Sequence, residues 1–554
     1  DFFAVRPGQM VLSPYKVKTV AGEVSRQIVF PRFDAVVGNP PYTRWTEILG
    51  ETQNLILRSY KELLKQYKLT PQVSRGVEPG IYTYWILHAH EFLKEGGRLG
   101  MIISNTWLQT DYGIGFGNFL LDHFRIKAVI DFAAKLFKDA LITTCIVLAE
   151  RESEEAKRLE NEVVFIHIPG EVESADVESL LEAVRTGESQ EFTVVRVKQK
   201  DIPRDRKWID LFFKAVDLSK HPLMVKLGEL FEPLRGNTEW ARWALAHGRR
   251  PDLGMAEFHY LSPSKLEEFN LSHLAYPNMN LNECFLYPAI TRAKQSLFFT
   301  FNQKDWKRLL QNNDRCYILI AHKPRNQLPA EIKRYIDWGE TRCIGKVKAR
   351  QIGARGKTAD KTEAAKVRAT QRRFFYGWYD VGGVLPCQIF AIREARYKTR
   401  FALCKFPVAT FDRIITFIPK KKPLAETELK ALLAFLNSSF MQFQVELQGR
   451  YVAAGPIGFD VKVAREMPVL DVRKLDEKQL KRLAKLFDEL EREARRIGGA
   501  STREQLEQLK PKIYEIDYAI GEILGLTKEE VEDIQRKVEL MVERRVGVAK
   551  KTGE

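Results

Sequence analysis

Over residues 1 to about 215, two hydrophobic textures alternate. Short, largely apolar runs occur at 33–37 (with one Asp), 99–103, 129–130 and 142–148, and between them come longer stretches, such as 81–93, where apolar residues recur every three or four positions. A continuous run suits a strand covered on both faces, and the three-to-four spacing suits a helix with one buried stripe. Their alternation predicts an α/β domain with a doubly wound, Rossmann-like sheet. The strand at 33–37 is expected to be buried and to end in the rigid loop Gly38-Asn39-Pro40-Pro41, and Gly96-Gly97 is expected to close the helix at 81–93. The opening Asp1-Phe2-Phe3 reads as the end of a strand, so the chain looks N-terminally incomplete.

From residue 221 the pattern becomes irregular, aromatic and basic, with scattered Gly and Pro, which predicts a mixed α+β domain. After about 470 the helical spacing returns at Leu480, Leu483, Phe487 and Leu490. It resumes at Leu506, Leu509, Ile513, Ile516, Ile520 and Leu524 beyond the Gly498-Gly499 break. Ser501 with Glu504 and Thr527 with Glu530 are expected to form capping boxes. At 554 residues the chain exceeds a single core, and the expected division is 1–220, 221–470 and a C-terminal helical region, 471–554.

Charge adds a partner class. With 88 Lys+Arg against 72 Asp+Glu, the formal charge of +16 suits a polyanion such as double-stranded DNA. Residues 342–373 hold eleven Lys/Arg against Asp360 and Glu363. Lys346, Lys348, Arg350, Arg355, Lys357, Arg368, Arg372 and Arg373 are therefore candidates for phosphate contact, and the arginines also for reading guanine edges. The six cysteines form neither a Cys-x-x-Cys pair nor a Cys/His cluster, so no metal site is expected. The lack of an apolar run of membrane-spanning length predicts a cytoplasmic chain with free thiols and no membrane partner.

The chemistry lies in Asn39-Pro40-Pro41-Tyr42, directly after a strand, because ligands in open α/β sheets bind beyond the carboxyl ends of strands. An aromatic amine has its lone pair delocalised into the ring, and no side chain removes its proton at neutral pH. The Asn39 side-chain oxygen and the Pro40 carbonyl can each accept one amino hydrogen, which favours the pyramidal, nucleophilic form. Two prolines fix φ and offer no competing N–H. Tyr42 can stack on the base.

The segment Phe33-Asp34-Ala35-Val36-Val37-Gly38-Asn39-Pro40-Pro41-Tyr42 resembles the catalytic motif of amino-group methyltransferases acting on adenine. Asp1-Phe2 resembles the pair that, in this family, contacts the adenine of the donor S-adenosylmethionine. Lys94-Glu95-Gly96-Gly97 resembles a lysine-proline-glycine-glycine segment, with Glu95 in place of proline. Residues 136–140 resemble the segment whose Phe packs on a flipped target base, which implies Phe137 as a second aromatic wall beside Tyr42. The order of catalytic motif before recognition region is similar to gamma-type adenine DNA methyltransferases with a fused target-recognition domain. Such enzymes occur in type IIG-like restriction–modification or phage-defence systems of the BREX and DISARM kind.

The resemblance implies S-adenosylmethionine as cofactor, held by Asp1, Phe2 and Asn39, and base flipping of a duplex target. The family's glycine-rich donor loop is absent and is expected in an N-terminal region or a separate subunit. Gly113-Ile114-Gly115-Phe116-Gly117 follows the wrong strand for that role and reads as a flexible segment flanking the active site. Cytosine remains open as the target. So do a non-catalytic DNA-specificity component and a methyltransferase acting on RNA or protein glutamine.

Overall fold

The structure is a computed structural model that describes all residues except 1, 21, 74–76, 133–135, 137–142, 169–175, 190, 214–217, 237–257, 341–375, 377–378, 382–386, 412, 421–422, 452–455 and 551–554. The chain divides into two compact units, residues 1–216 with 453–455 and 539–554, and residues 217–452 with 456–538.

The first unit opens with an antiparallel hairpin, β1 (Met10–Thr19) and β2 (Gly22–Val29). It is built on a six-stranded sheet of β3 (Phe33–Gly38), β4 (Leu93–Ser104), β5 (Phe124–Phe132), β6 (Thr144–Arg151), β7 (Glu162–Ile168) and β8 (Thr193–Lys198). The spatial order is β3-β4-β6-β5-β7-β8. β3 runs parallel to β4 and β5 parallel to β7, while β6 lies antiparallel between β4 and β5. The helices are α1 (Gly50–Ser59), α2 (Lys61–Gln66), α3 (Ile81–Phe92), α4 (Asp111–His123), α5 (Glu155–Glu160) and α6 (Asp176–Thr186). Leu99, Met101 and Ile103 of β4, with Val129, Val147 and Phe165, are buried in its core. The result is the Rossmann-like α/β fold expected from the alternating pattern.

Four local expectations change. The strand at 33–37 forms, but as a sheet edge with its side chains largely exposed. A run apolar on both faces was the signal for a covered strand, and here its apolar residues face outward: Val37 is 77% exposed and Phe33 39%. Phe2–Ala4 is a short 3-10 turn where a strand end was expected. Gly96 and Gly97 lie within β4, which begins at Leu93 directly after α3; Gly96 takes φ +71° there. The glycines at 113, 115 and 117 sit inside α4 and are buried. A Cβ on Gly113 would lie 1.6 Å from the Trp107 carbonyl oxygen, and one on Gly115 would lie 1.8 Å from that of Tyr67. They permit backbone contact in a packed helix, so the expected flexible segment is not found.

The second unit is mixed. A five-stranded sheet orders Phe231–Arg235, Ile414–Pro419, Ile389–Ile392, Phe401–Cys404 and Thr300–Phe301, and a four-stranded sheet is built around Leu286–Ile290. Trp306, Tyr317, Tyr335, Phe390 and Phe406 share one apolar core. Helices Glu426–Leu436, Ser439–Gln448, Glu477–Arg496 and Arg503–Ile523 follow. The cap of the last is Thr502 with Gln505, one residue beyond the expected Ser501 and Glu504. Thr527 and Glu530 do exchange the two bonds of a capping box. They open helix Lys528–Lys550, whose residues from 539 onward group with the first unit. Among the described residues, no helix is long and apolar enough to cross a membrane.

Candidate active site

The chain leaves the carboxyl end of β3 at Gly38 and runs without regular structure from Asn39 to Arg44. Asn39 is exposed while Pro40 is buried. The adjoining loop is fixed from several directions. The first amide of α3, at Ile81, donates to the Thr43 carbonyl at 3.1 Å. The Trp45 ring packs edge-on against Tyr84, and the Gln53 amide nitrogen donates to the Trp45 carbonyl at 2.7 Å. The Thr46 hydroxyl donates to Glu78 Oε1 at 2.6 Å.

Tyr42 folds back so that its hydroxyl donates to Asn39 Oδ1. Burial pushes the Tyr42 phenol up to about 12, the neighbouring Cys145 adds to this, and the bond to Asn39 opposes it. At physiological pH Tyr42 is therefore a neutral donor and cannot act as a base. Beneath the loop, the Tyr82 and Tyr112 hydroxyls share a 2.6 Å hydrogen bond between α3 and α4.

The Phe2 ring stacks on Trp85 at 4.2 Å between centroids. Its carbonyl accepts a 2.8 Å bond from His88 Nε2. His88 Nδ1 accepts from the Tyr60 hydroxyl and, at 2.8 Å, from the Arg6 guanidinium. Burial, helped by the Arg6 charge, lowers His88 to about 4. The imidazole is then neutral, in the tautomer that both contacts require. A shallow cavity of about 380 Å³ on this flank is lined by Phe2, Phe30, Phe33, Val37 and Phe92 among others. Asn39 lies two residues past Val37 on the same strand exit. This aromatic lining fits an adenine ring, but offers no charged group for an amino acid carboxylate or ammonium.

At the start of β4, Lys94 Nζ pairs with Asp34 at 2.9 Å on the surface. Glu95, in the position where proline was expected, accepts from the amide and hydroxyl of Ser153 at 2.6 and 2.9 Å. Of the residues expected from sequence, Asn39, Pro40 and Tyr42 come together at one strand exit, with Phe2 beside that strand. Asp1, Phe137 and the eight basic residues from Lys346 to Arg373 lie outside the described residues. Sequence reasoning missed Trp85 and His88. They sit three residues apart on α3, and only the fold brings Phe2 against them.

Over part of its length the chain is similar to DNA methyltransferases of restriction–modification systems, a class whose cofactor is S-adenosylmethionine. Residues 17–137 match the Eco57I restriction-modification methylase family. The chain is 21% identical over 464 residues to the type II methyltransferase M.AccI of Acinetobacter calcoaceticus, covering 83% of this chain and 73% of that protein. It is 34% identical over 102 residues to the type II methyltransferase M.BstVI of Geobacillus stearothermophilus, covering 18% and 16%. The solved structure of the type IIL restriction-modification enzyme MmeI in complex with DNA aligns with a TM-score of 0.48 at 12% identity, covering 94% of this chain and 57% of that one.

Proposed function

We propose that this protein methylates the exocyclic amino group of adenine at specific sites in double-stranded DNA, in the cytoplasm, by direct in-line transfer to a flipped base. The observation that supports this reading is exposed Asn39 at the carboxyl end of β3, with Pro40 next to it in the chain and the Tyr42 hydroxyl bonded to its side-chain oxygen. When the target enters, Asn39 Oδ1 and the Pro40 carbonyl accept the two amino hydrogens and direct the nitrogen lone pair outward. Tyr42 gives up its bond to Asn39 and stacks on the base, with Phe137 as the second wall, offsetting part of the unstacking cost. The raised Tyr42 phenol is consistent with a reaction in which no side chain removes a proton before attack. S-adenosylmethionine, when bound, supplies an electrophilic methyl group on a sulfonium. Phe2, with Asp1 and Asn39, would hold its adenosyl end in the apolar cavity beside β3.

The outer flank of β3 has no strand partner among the described residues. We assign it to a further strand carrying the glycine-rich donor loop, from an N-terminal region or a separate subunit, which would hold the methionyl end. Residues 221–470 form the target-recognition region, with the basic side chains of 346–373 on DNA phosphates, and 471–554 the C-terminal helical region.

The test is methyl transfer from labelled S-adenosylmethionine to unmethylated genomic DNA by the full-length gene product. Methyladenine is the expected product. Asn39→Ala should lower kcat by roughly 10²–10³-fold while sparing DNA binding, and equal activity in that variant would overturn the mechanism.

A further inference from the structure

The most heavily bonded buried charge among the described residues of the first unit lies outside this chemistry. Asp131, near the carboxyl end of β5, is fully buried. Its Oδ1 accepts from Asn105 Nδ2 at 2.8 Å and from Arg544 Nη2 at 2.8 Å; its Oδ2 accepts from Arg544 Nε at 2.6 Å and from His167 Nδ1 at 2.9 Å. Arg544 comes from the last helix, 413 residues along the chain, and is itself buried. Burial would raise the Asp131 carboxyl, but the Arg544 charge and the His167 bond outweigh it and hold the group well below the usual carboxylate range.

The same Asn105 is bonded twice to Thr143, through its amide to the Thr143 carbonyl at 3.1 Å and through its side-chain oxygen to the Thr143 hydroxyl at 2.8 Å. Asn105 also opens the short helical turn Asn105–Leu108. In that turn Trp107 donates to Cys145 at 3.3 Å, and its carbonyl sits against Gly113 of α4. Next along α4, Tyr112 bonds Tyr82 of α3 at 2.6 Å. The first amide of α3 holds Thr43, next to Tyr42. Packed contacts thus run without a break from Arg544 to the Asn39–Tyr42 pair.

We propose that Arg544 is a positioning residue for methyl transfer, setting the Asn39–Tyr42 loop through Asp131, Asn105 and α4, so that the C-terminal helix is part of the catalytic unit. This rests on the methyltransferase reading above. A buried ion pair is weak as a source of net stability, whereas a guanidinium that bonds both carboxylate oxygens fixes direction as well as charge. Reacting groups held by such a support lose rate, and not affinity, when the support goes.

In the full-length protein, Arg544→Ala should lower kcat roughly ten- to hundredfold with the KM for plasmid DNA unchanged. Added guanidinium ion should restore part of the rate, and Arg544→Lys should not, because one ammonium cannot make the paired bonds. Asn105→Ala, which keeps the ion pair but removes the side-chain bonds to Asp131 and to the Thr143 hydroxyl, should lower kcat as well. It decides the matter if Arg544→Ala does not fold. Hydrogen exchange gives a readout independent of activity: amides of residues 105–112 should exchange faster in either variant while those of β7 hold. Wild-type kcat in Asn105→Ala, or unchanged exchange at 105–112, overturns the inference. An inactive wild-type protein would instead count against the methyltransferase reading, and the exchange result would still stand or fall by itself.

Discussion

The Tyr42 hydroxyl is bonded to Asn39 Oδ1, so the acceptor assigned to a target amino group is already occupied by a side chain three residues away. On the proposed reading, entry of the base requires this bond to break. Tyr42→Phe keeps the stacking ring and removes the competitor, so kcat/KM for DNA should hold or rise. Tyr42→Ala also loses the stacking face and should lose about 1–3 kcal/mol of transition-state binding. Steady-state methylation kinetics on the two variants check the order, and a large loss in Tyr42→Phe would show that the hydroxyl has a chemical role.

His88 predicts an acid-labile first unit. Its folded value near 4 lies below the ordinary histidine value of about 6.5, so between these pH values the unfolded chain binds the extra proton. The stability it contributes is complete above about pH 6.5 and falls by about 1.4 kcal/mol per pH unit as pH drops toward 4. Urea midpoints for unfolding of this unit at pH 7 and 5 measure the slope, and His88→Asn should flatten it.

A Cβ on Gly115 would fall 1.8 Å from the Tyr67 carbonyl oxygen, far inside contact distance, whereas one on Gly50 at the start of α1 would meet nothing within 4 Å. Gly115→Ala should destabilise the protein by more than about 3 kcal/mol or prevent folding, since backbone cannot yield as a side chain can. Gly50→Ala should be neutral or slightly stabilising. Thermal unfolding of the pair tests whether α4 is packed backbone to backbone.

Val37, 77% exposed on β3, tests the proposed strand addition. A lysine there discourages pairing at a sheet edge but leaves the described fold unstrained. In the full-length protein, Val37→Lys should weaken S-adenosylmethionine binding by calorimetry while circular dichroism stays the same. Unchanged donor affinity would overturn the proposed strand addition at this edge.

Much of the site was legible because its chemistry is local. Asn39, Pro40 and Tyr42 are neighbours in the chain, and a strand followed by Asn-Pro-Pro needs no long-range contact to be read. The helix at 81–92 and the C-terminal helices were legible for the same reason, as their period is a short-range property. The errors came where a local signal has two tertiary outcomes. Apolar residues at 33–37 suit a central strand, yet β3 is an edge. The glycines at 113–117 suit a loop, yet they line a helix that presses on two carbonyls.

By itself the sequence determined the alternation of strands and helices and the Asn39-Pro40-Pro41-Tyr42 segment at a strand exit on which the proposed chemistry rests. Only the tertiary structure decided that Tyr42 occupies Asn39, that His88 is buried neutral beneath Phe2, and that Asp131 meets an arginine from the last helix. These are contacts between residues 3, 86 and 413 positions apart. The two long ones have no period or motif to announce them, because burial, which makes a charge or an imidazole seek a partner, is set by the packing of the whole unit.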